Sequence, residues 1–183
     1  TWLVFGTWLW ANSEHSWMDA FRIVALNVTS VVTTTGVALG DYTLWGSFSV
    51  LLFFYLTFVG GCSGSTAGGL KIFRFQVAYV LLKANLQQLI HPRAVIKQQY
   101  NGHNLDEDIV RSLITFSFFF TITIGLIALG LALIGLDWVT ALTGAATAVC
   151  NVGPGLGPII GPVGNFSTLP DAAKWLLTIG MLL

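Results

Sequence analysis

The sequence predicts an all-α membrane protein built from repeated helix–pore loop–helix units. Three observations carry that expectation. Hydrophobic residues make up 55% of the 183 positions and charged ones 9%, with a mean hydropathy of +0.77. Soluble domains carry roughly 25% charged residues. Three long runs hold no charge: Tyr42–Leu70, Ser112–Leu136 and Trp138–Pro170. About 20 apolar residues suffice to cross a bilayer as a helix. Two polar, glycine-rich islands interrupt this pattern, Thr33-Thr34-Thr35-Gly36-Val37-Ala38-Leu39-Gly40 and Asn151-Val152-Gly153-Pro154-Gly155-Leu156-Gly157. Laid over one another, Gly36 falls on Gly153, Leu39 on Leu156 and Gly40 on Gly157.

Each element follows from its residues. Thr1 to Trp10 reads as the outer end of a helix, with Trp2, Trp8 and Trp10 suited to an interfacial belt. Ala11 to Ser16 is a polar link. Trp17 to Ser30 is an amphipathic helix too short to span. Thr33 to Gly40 is irregular, because a threonine run is poor in a helix and Gly36 and Gly40 admit conformations other residues resist. Thr43 to Val59 is expected as a spanning helix, broken at Gly60–Gly69 and resumed from Leu70 to Ile90. His91-Pro92 stops it, and Arg93 to Asn104 is a polar link. Asp106-Glu107-Asp108 suits the positive end of a helix that runs to Gly135. Asp137 to Ala148 is a second short segment, Cys150 to Gly157 the second island, and Pro170-Asp171 opens a final helix to 183.

The expected organisation is therefore one unit over residues 1–90 and another over 91–183. Asp41-x-x-x-Trp45 recurs as Asp171-x-x-x-Trp175, with an insertion in the second copy. The repeat competes with chance similarity among Gly, Leu and Thr. The lack of an initiating Met and the apolar end point to a piece of a longer membrane protein, and no signal peptide is visible. Six of the eight basic residues, Lys71, Arg74, Lys83, Arg93, Lys97 and Arg111, fall in one interval. The positive-inside rule puts it in the cytoplasm. Glu14, Asp19, Asp41, Asp137 and Asp171 then fall mainly outside. Cys62 and Cys150 match no metal or redox spacing, and no disulfide is expected.

Irregular backbone at membrane depth must be buried in protein or line water. A short helix returning through a glycine-rich strand meets that condition. Carbonyl rings can replace an ion's hydration shell without any charged side chain. The C-terminal dipole end of each short helix, about half an elementary charge, would favour a cation. Thr33, Thr34 and Thr35 either add hydroxyls to the path or hold the strand by hydrogen bonds.

Val32-Thr33-Thr34-Thr35-Gly36, Gly61-Cys62-Ser63-Gly64-Ser65-Thr66-Ala67-Gly68-Gly69-Leu70-Lys71 and Asn151-Val152-Gly153-Pro154-Gly155 occur in this order. Together they resemble the TrkH/KtrB family of potassium-uptake proteins, and the TrkH branch most closely. The resemblance covers almost the whole chain and implies the third and fourth of four pore repeats in a potassium-channel-like fold. It implies a potassium filter at Thr34, Thr35, Gly36, Asn151, Val152 and Gly153, with Gly36 and Gly153 as filter glycines. K+ is then the transported ion, and no organic cofactor is expected. It also implies an intramembrane gate at Gly60, Gly61, Ser63, Gly64, Ser65, Thr66, Gly68 and Gly69. Read from its residues alone, that loop is equally a static helix break. The expected setting is a multi-pass protein of the cell inner membrane, surrounded by lipid and paired as a homodimer. Cytoplasmic TrkA-like nucleotide-binding regulatory subunits are expected against it, and no nucleic acid. The second island departs from Thr-Thr-Gly, and Pro154 lacks a backbone donor, so it must be held differently.

Other signals compete. Gly61-Cys62-Ser63-Gly64 matches the GxSG of intramembrane serine proteases. That chemistry needs a histidine, and His15, His91 and His103 lie in polar links. A non-conducting membrane scaffold is a further alternative. Gly64 to Gly69 mimics a phosphate loop with the wrong spacing to Lys71. Asp41 either concentrates cations at an outer mouth or starts a helix. Lys71 and Arg74 read as interfacial anchors rather than ion-path residues. His91 and His103 read as surface residues rather than metal ligands. Asn27-Val28-Thr29 matches a glycosylation acceptor by accident, since it falls in a buried short helix; Asn165-Phe166-Ser167 matches another.

Overall fold

A computed structural model describes residues 2–12, 16–91, 99–100 and 103–182. Glu14, His15, Pro92, Arg93, Lys97 and most of the expected 93–104 link lie outside the described residues. The elements in order are α1 (Trp2–Asn12), α2 (Trp17–Val32), a 3-10 turn (Tyr42–Trp45), α3 (Ser47–Phe58) and α4 (Ile72–Ile90). The antiparallel pair β1 (Gln99–Tyr100) and β2 (His103–Asn104) follows. Then come α5 (Glu107–Leu133), α6 (Trp138–Cys150), a 3-10 turn (Phe166–Thr168) and α7 (Asp171–Leu182).

Local chemistry sets the boundaries. Asp106 precedes α5, with Glu107 and Asp108 in the first turn at its positive end. α5 closes at Gly135 (φ +101), where Gly135 N–H reaches Ala132 O and Leu136 N–H reaches Leu131 O, a Schellman closure. Asp137 caps α6 by accepting from Thr140 N–H at 3.1 Å. Pro170 O accepts from the N–H groups of Ala173 and Lys174 to open α7.

One expected element is different. The span expected over Thr43–Val59 is interrupted at Gly46 (φ +111). Asp41 accepts from Thr43 N–H at 2.9 Å to begin a 3-10 turn, and buried Ser49 donates to Tyr42 O at 2.6 Å. This leaves α3 with 12 residues, about 18 Å of rise. Among the described helices only α5, with 27 residues, is by itself long and apolar enough to cross a membrane. The uncharged runs around 42–70 and 138–170 are therefore not single spans: glycines divide the first, and a short helix with an irregular return occupies the second.

Two hydrophobic clusters hold these pieces. One gathers Phe5, Leu9, Ala20, Val24, Val28, Tyr42 and Phe53 from α1, α2, the 3-10 turn and α3. The other gathers Ile124, Ile127, Leu131, Ala145, Ala173 and Leu177 from α5, α6 and α7. Small residues let these helices approach. A Cβ on Gly130 would stand 2.6 Å from Leu176, and one on Gly180 would stand 2.8 Å from Ile127. Cys150, Val152 and Leu156 follow α5 in sequence yet belong to the first cluster. The second island is thus packed into the neighbourhood of the first.

Candidate functional site

Both islands leave their helices through the same backbone device. Thr34 N–H donates to Val31 O and Thr35 N–H to Ser30 O. At the aligned positions, Asn151 N–H donates to Ala148 O and Val152 N–H to Thr147 O. Each pair is a Schellman closure, which requires a left-handed residue at its centre. Thr34 and Asn151 supply it, both at φ +55, and they are the only non-glycine residues with positive φ among the described residues. Asn tolerates that region. A β-branched Thr there is an outlier costing on the order of 1–3 kcal/mol. Left-handed glycines follow in register: Gly36 with Gly153, and Gly40 with Gly157.

The two strands meet at their glycines. A Cβ on Gly36 would stand 2.6 Å from the Val152 carbonyl oxygen, and one on Gly153 would stand 3.5 Å from Gly36 Cα. At Gly36 only a residue without a side chain fits this approach. Thr33 and Thr35 hydroxyls share a hydrogen bond of 2.8 Å, and Thr33 also donates to Thr29 O. The second strand is held around its proline: Gly153 N–H reaches Thr147 Oγ1 at 3.0 Å and Gly155 N–H reaches Ile160 O at 2.7 Å. Ser30, aligned with Thr147, has its buried hydroxyl unpartnered, so the two strands are held differently. Asn151 turns its amide away to Met181 O at 3.2 Å.

The Gly60–Gly69 loop packs against both strands. Its ends are joined, Gly60 N–H to Leu70 O at 2.8 Å and Leu70 N–H to Phe58 O at 2.9 Å, which makes a compact closed loop. Gly68 N–H reaches Thr34 Oγ1 at 3.3 Å. A Cβ on Gly68 would stand 1.9 Å from Cys150 O, so the loop backbone lies directly on the end of α6. Gly60 fits equally closely, a Cβ there standing 2.3 Å from Gly68 O. Ser65 Oγ accepts from Ala67 N–H at 3.1 Å inside the loop, whereas Cys62, Ser63, Gly64 and Thr66 are exposed. Gly61 packs against Ser65 and Gly69 adopts φ +71.

Lys71 is bonded within the loop. Its ammonium folds back and donates to Ser65 O at 2.7 Å and to Ala67 O. A hydrogen bond involving a charged group contributes about 1.5–3 kcal/mol. Arg74 lies 3.7 Å over the Phe116 ring. A cavity of about 430 Å³ between these elements is lined by Ser63, Lys71, Arg74 and Asp108. Another, of about 590 Å³, is lined by Asp41, Thr43, Leu156 and Gly157 at the other end of the second strand. Asp41 there accepts from Thr43 N–H and hydroxyl, which ties it to the 3-10 turn. Cys62 and Cys150 are free thiols. His91 is exposed at the end of α4. Asn165 accepts from Ser167 N–H to start its 3-10 turn.

Sequence reading missed two side chains that hold the strands, Asn27 and Thr143. Asn27 accepts from Leu39 N–H at 2.8 Å and donates to Leu39 O at 3.0 Å. Thr143 Oγ1 lies 3.1 Å from Leu156 N and 2.9 Å from Leu156 O. Each is one of several polar residues in its helix, so composition did not single it out.

Helices that each deliver a glycine-rich strand to a common contact, packed among apolar helices, define a helical membrane protein of the pore-loop class. The chain belongs to the TrkH family of cation transport proteins, whose family model matches residues 10–183. It is 62% identical over 160 residues to the Trk system potassium uptake protein TrkI of Halomonas elongata, covering 87% of this chain and 32% of that protein. It is 33% identical over 175 residues to the Trk system potassium uptake protein TrkH of the same organism, covering 96% and 36%. The crystal structure of the potassium transporter TrkH from Vibrio parahaemolyticus superposes with a TM-score of 0.90 at 31% identity, covering 99% of this chain and 38% of that one. The chain thus spans about a third of the length of the relatives it matches.

Proposed function

We propose that this chain supplies two quarters of a potassium-uptake pore in the cell inner membrane. Residues 1–90 and 91–183 are its third and fourth helix–pore loop–helix repeats. The observation that carries the reading is the contact of Gly36 with Val152 and Gly153 between strands of matched left-handed geometry. Strands built this way bring backbone carbonyls, not charged groups, to one place, and carbonyls suit a dehydrated monovalent cation. The filter residues are Thr34, Thr35 and Gly36 with Asn151, Val152 and Gly153. The loop over Gly60, Gly61, Ser63, Gly64, Ser65, Thr66, Gly68 and Gly69 is the gate, since it lies on both strand entrances and Lys71 holds it closed. The basic interval from Lys71 to Arg111 faces the cytoplasm. There the full protein, a homodimer, meets nucleotide-binding regulatory subunits.

The test is reconstitution of the full-length protein in proteoliposomes. Rubidium uptake should be displaced by K+ well before Na+, and Ser63→Ala should leave it intact. Absence of cation flux from correctly inserted protein would favour a scaffold. Proteolysis lost in Ser63→Ala would favour the serine protease. In the structure Lys71, the amine beside Ser63 in the 430 Å³ cavity, is engaged with loop carbonyls.

A further inference from the structure

Each strand is fixed at its near end by the Schellman closure. Beyond that point each strand carries a glycine of positive φ, Gly36 in the first and Gly153 in the second, and the second strand is also held at Gly153 N–H by Thr147 and at Gly155 N–H by Ile160 O. Where discrimination comes from the size of the carbonyl cage, it lasts while the carbonyls are held in place. The far end of each strand is held at one residue, Leu39 in the first and Leu156 in the second, and these two positions align. Both the N–H and the C=O of that leucine are engaged by a single side chain from the preceding short helix.

The side chains differ. Asn27 is fully buried and uses both ends of its amide, as a neighbouring strand would. Thr143 is 7% exposed and uses one hydroxyl, accepting from Leu156 N–H and sharing its proton between Leu156 O and Val139 O at 2.7 Å. Nor do they occupy the same position: Asn27 aligns with Gly144, and Thr143 with Leu26. Repeat symmetry therefore does not account for the clamp. Two unrelated side chains solve the same local problem at the same strand position.

We infer that Asn27 and Thr143 are positioning residues for cation selectivity, clamping Leu39 and Leu156 so that the carbonyls between helix end and clamp keep their spacing. The inference rests on the pore reading above. Only three residues, Gly36 to Ala38 and Gly153 to Leu156's predecessor Gly155, separate the Schellman bonds from the clamp in each strand. Loss of the clamp acts on the ion site through the backbone, not by contact with the ion.

The test compares Thr143→Val, Thr143→Ser and Asn27→Ala in the full-length protein in proteoliposomes, reading the ratio of K+ to Na+ flux and the amount inserted. Valine keeps the shape and loses the hydroxyl. Its ratio should fall at least about fivefold, the weight of one net hydrogen bond, with K+ flux retained. Serine should keep the wild-type ratio. Asn27→Ala should also lower the ratio, and it should insert well because Leu39 is 42% exposed and its freed backbone groups can reach water. A wild-type ratio in inserted Thr143→Val or Asn27→Ala overturns the clamp, as does an equal fall in Thr143→Ser. If Thr143→Val fails to insert, Asn27→Ala decides alone. A wild-type protein without K+ preference overturns the pore reading itself, a result distinct from failure of the clamp.

Discussion

Gly36→Ala is expected to reduce K+ uptake by the full-length protein at least about tenfold, the rate effect of roughly 1.4 kcal/mol. Two terms contribute. An L-residue held in the left-handed region costs about 1–2 kcal/mol. In addition, the new Cβ would stand 2.6 Å from the Val152 carbonyl oxygen, a backbone atom that moves only if the second strand moves. Gly40→Ala separates these terms. Gly40 has φ +77 against +76 for Gly36, and a Cβ there meets nothing within 4 Å. Whatever Gly36→Ala loses beyond Gly40→Ala belongs to the contact between strands. Equal losses in growth at limiting K+ would remove the contact from the account. Gly153→Ala should fall between them, since its Cβ makes an ordinary 3.5 Å contact.

Gly68→Ala is expected to release the loop from the strands. Its Cβ would stand 1.9 Å from Cys150 O and 2.7 Å from Cys150 C, both backbone. Neither can yield while α6 keeps its end, so the loop must shift, and the Gly68 N–H to Thr34 bond goes with it. Flux measured without the regulatory subunits should rise at least about tenfold if the closed loop is favoured by more than roughly 1.4 kcal/mol. Gly64→Ala is the control within the same loop, because a Cβ at Gly64 meets nothing within 4 Å and its φ is not positive. Flux that stays fully dependent on the regulator in inserted Gly68→Ala protein would count against a gate and favour a static helix break.

The glycines told most of what the sequence could tell. Gly36, Gly40, Gly153 and Gly157 align in sequence, and all four adopt positive φ. Their spacing is a backbone requirement, so it shows in composition. Thr34 was not legible in the same way. A β-branched residue is disfavoured at φ +55, and here the helix closure and the Gly68 N–H engage it. The break at Gly46 was hidden because the Tyr42–Leu70 run has no charge to mark it, and one glycine in an apolar run does not by itself end a helix. The bonds of Lys71 were not legible because hydropathy counts its charge and not its reach, and four methylenes bring the ammonium back to Ser65 and Ala67. Asn27 and Thr143 escaped because they are out of register with each other. Comparing the repeats selects equivalent positions, and these two residues do equivalent work from different ones.

The most direct test of the central claim is the position of the ion. A structure of the full-length protein in rubidium or thallium, read from anomalous scattering, should place density between the two strands. The density should contact the backbone carbonyls of Thr34 or Thr35 on one side and of Asn151 or Val152 on the other. Density confined to the cavity by Asp41 or the cavity by Lys71 and Arg74, with none between the strands, would contradict the account.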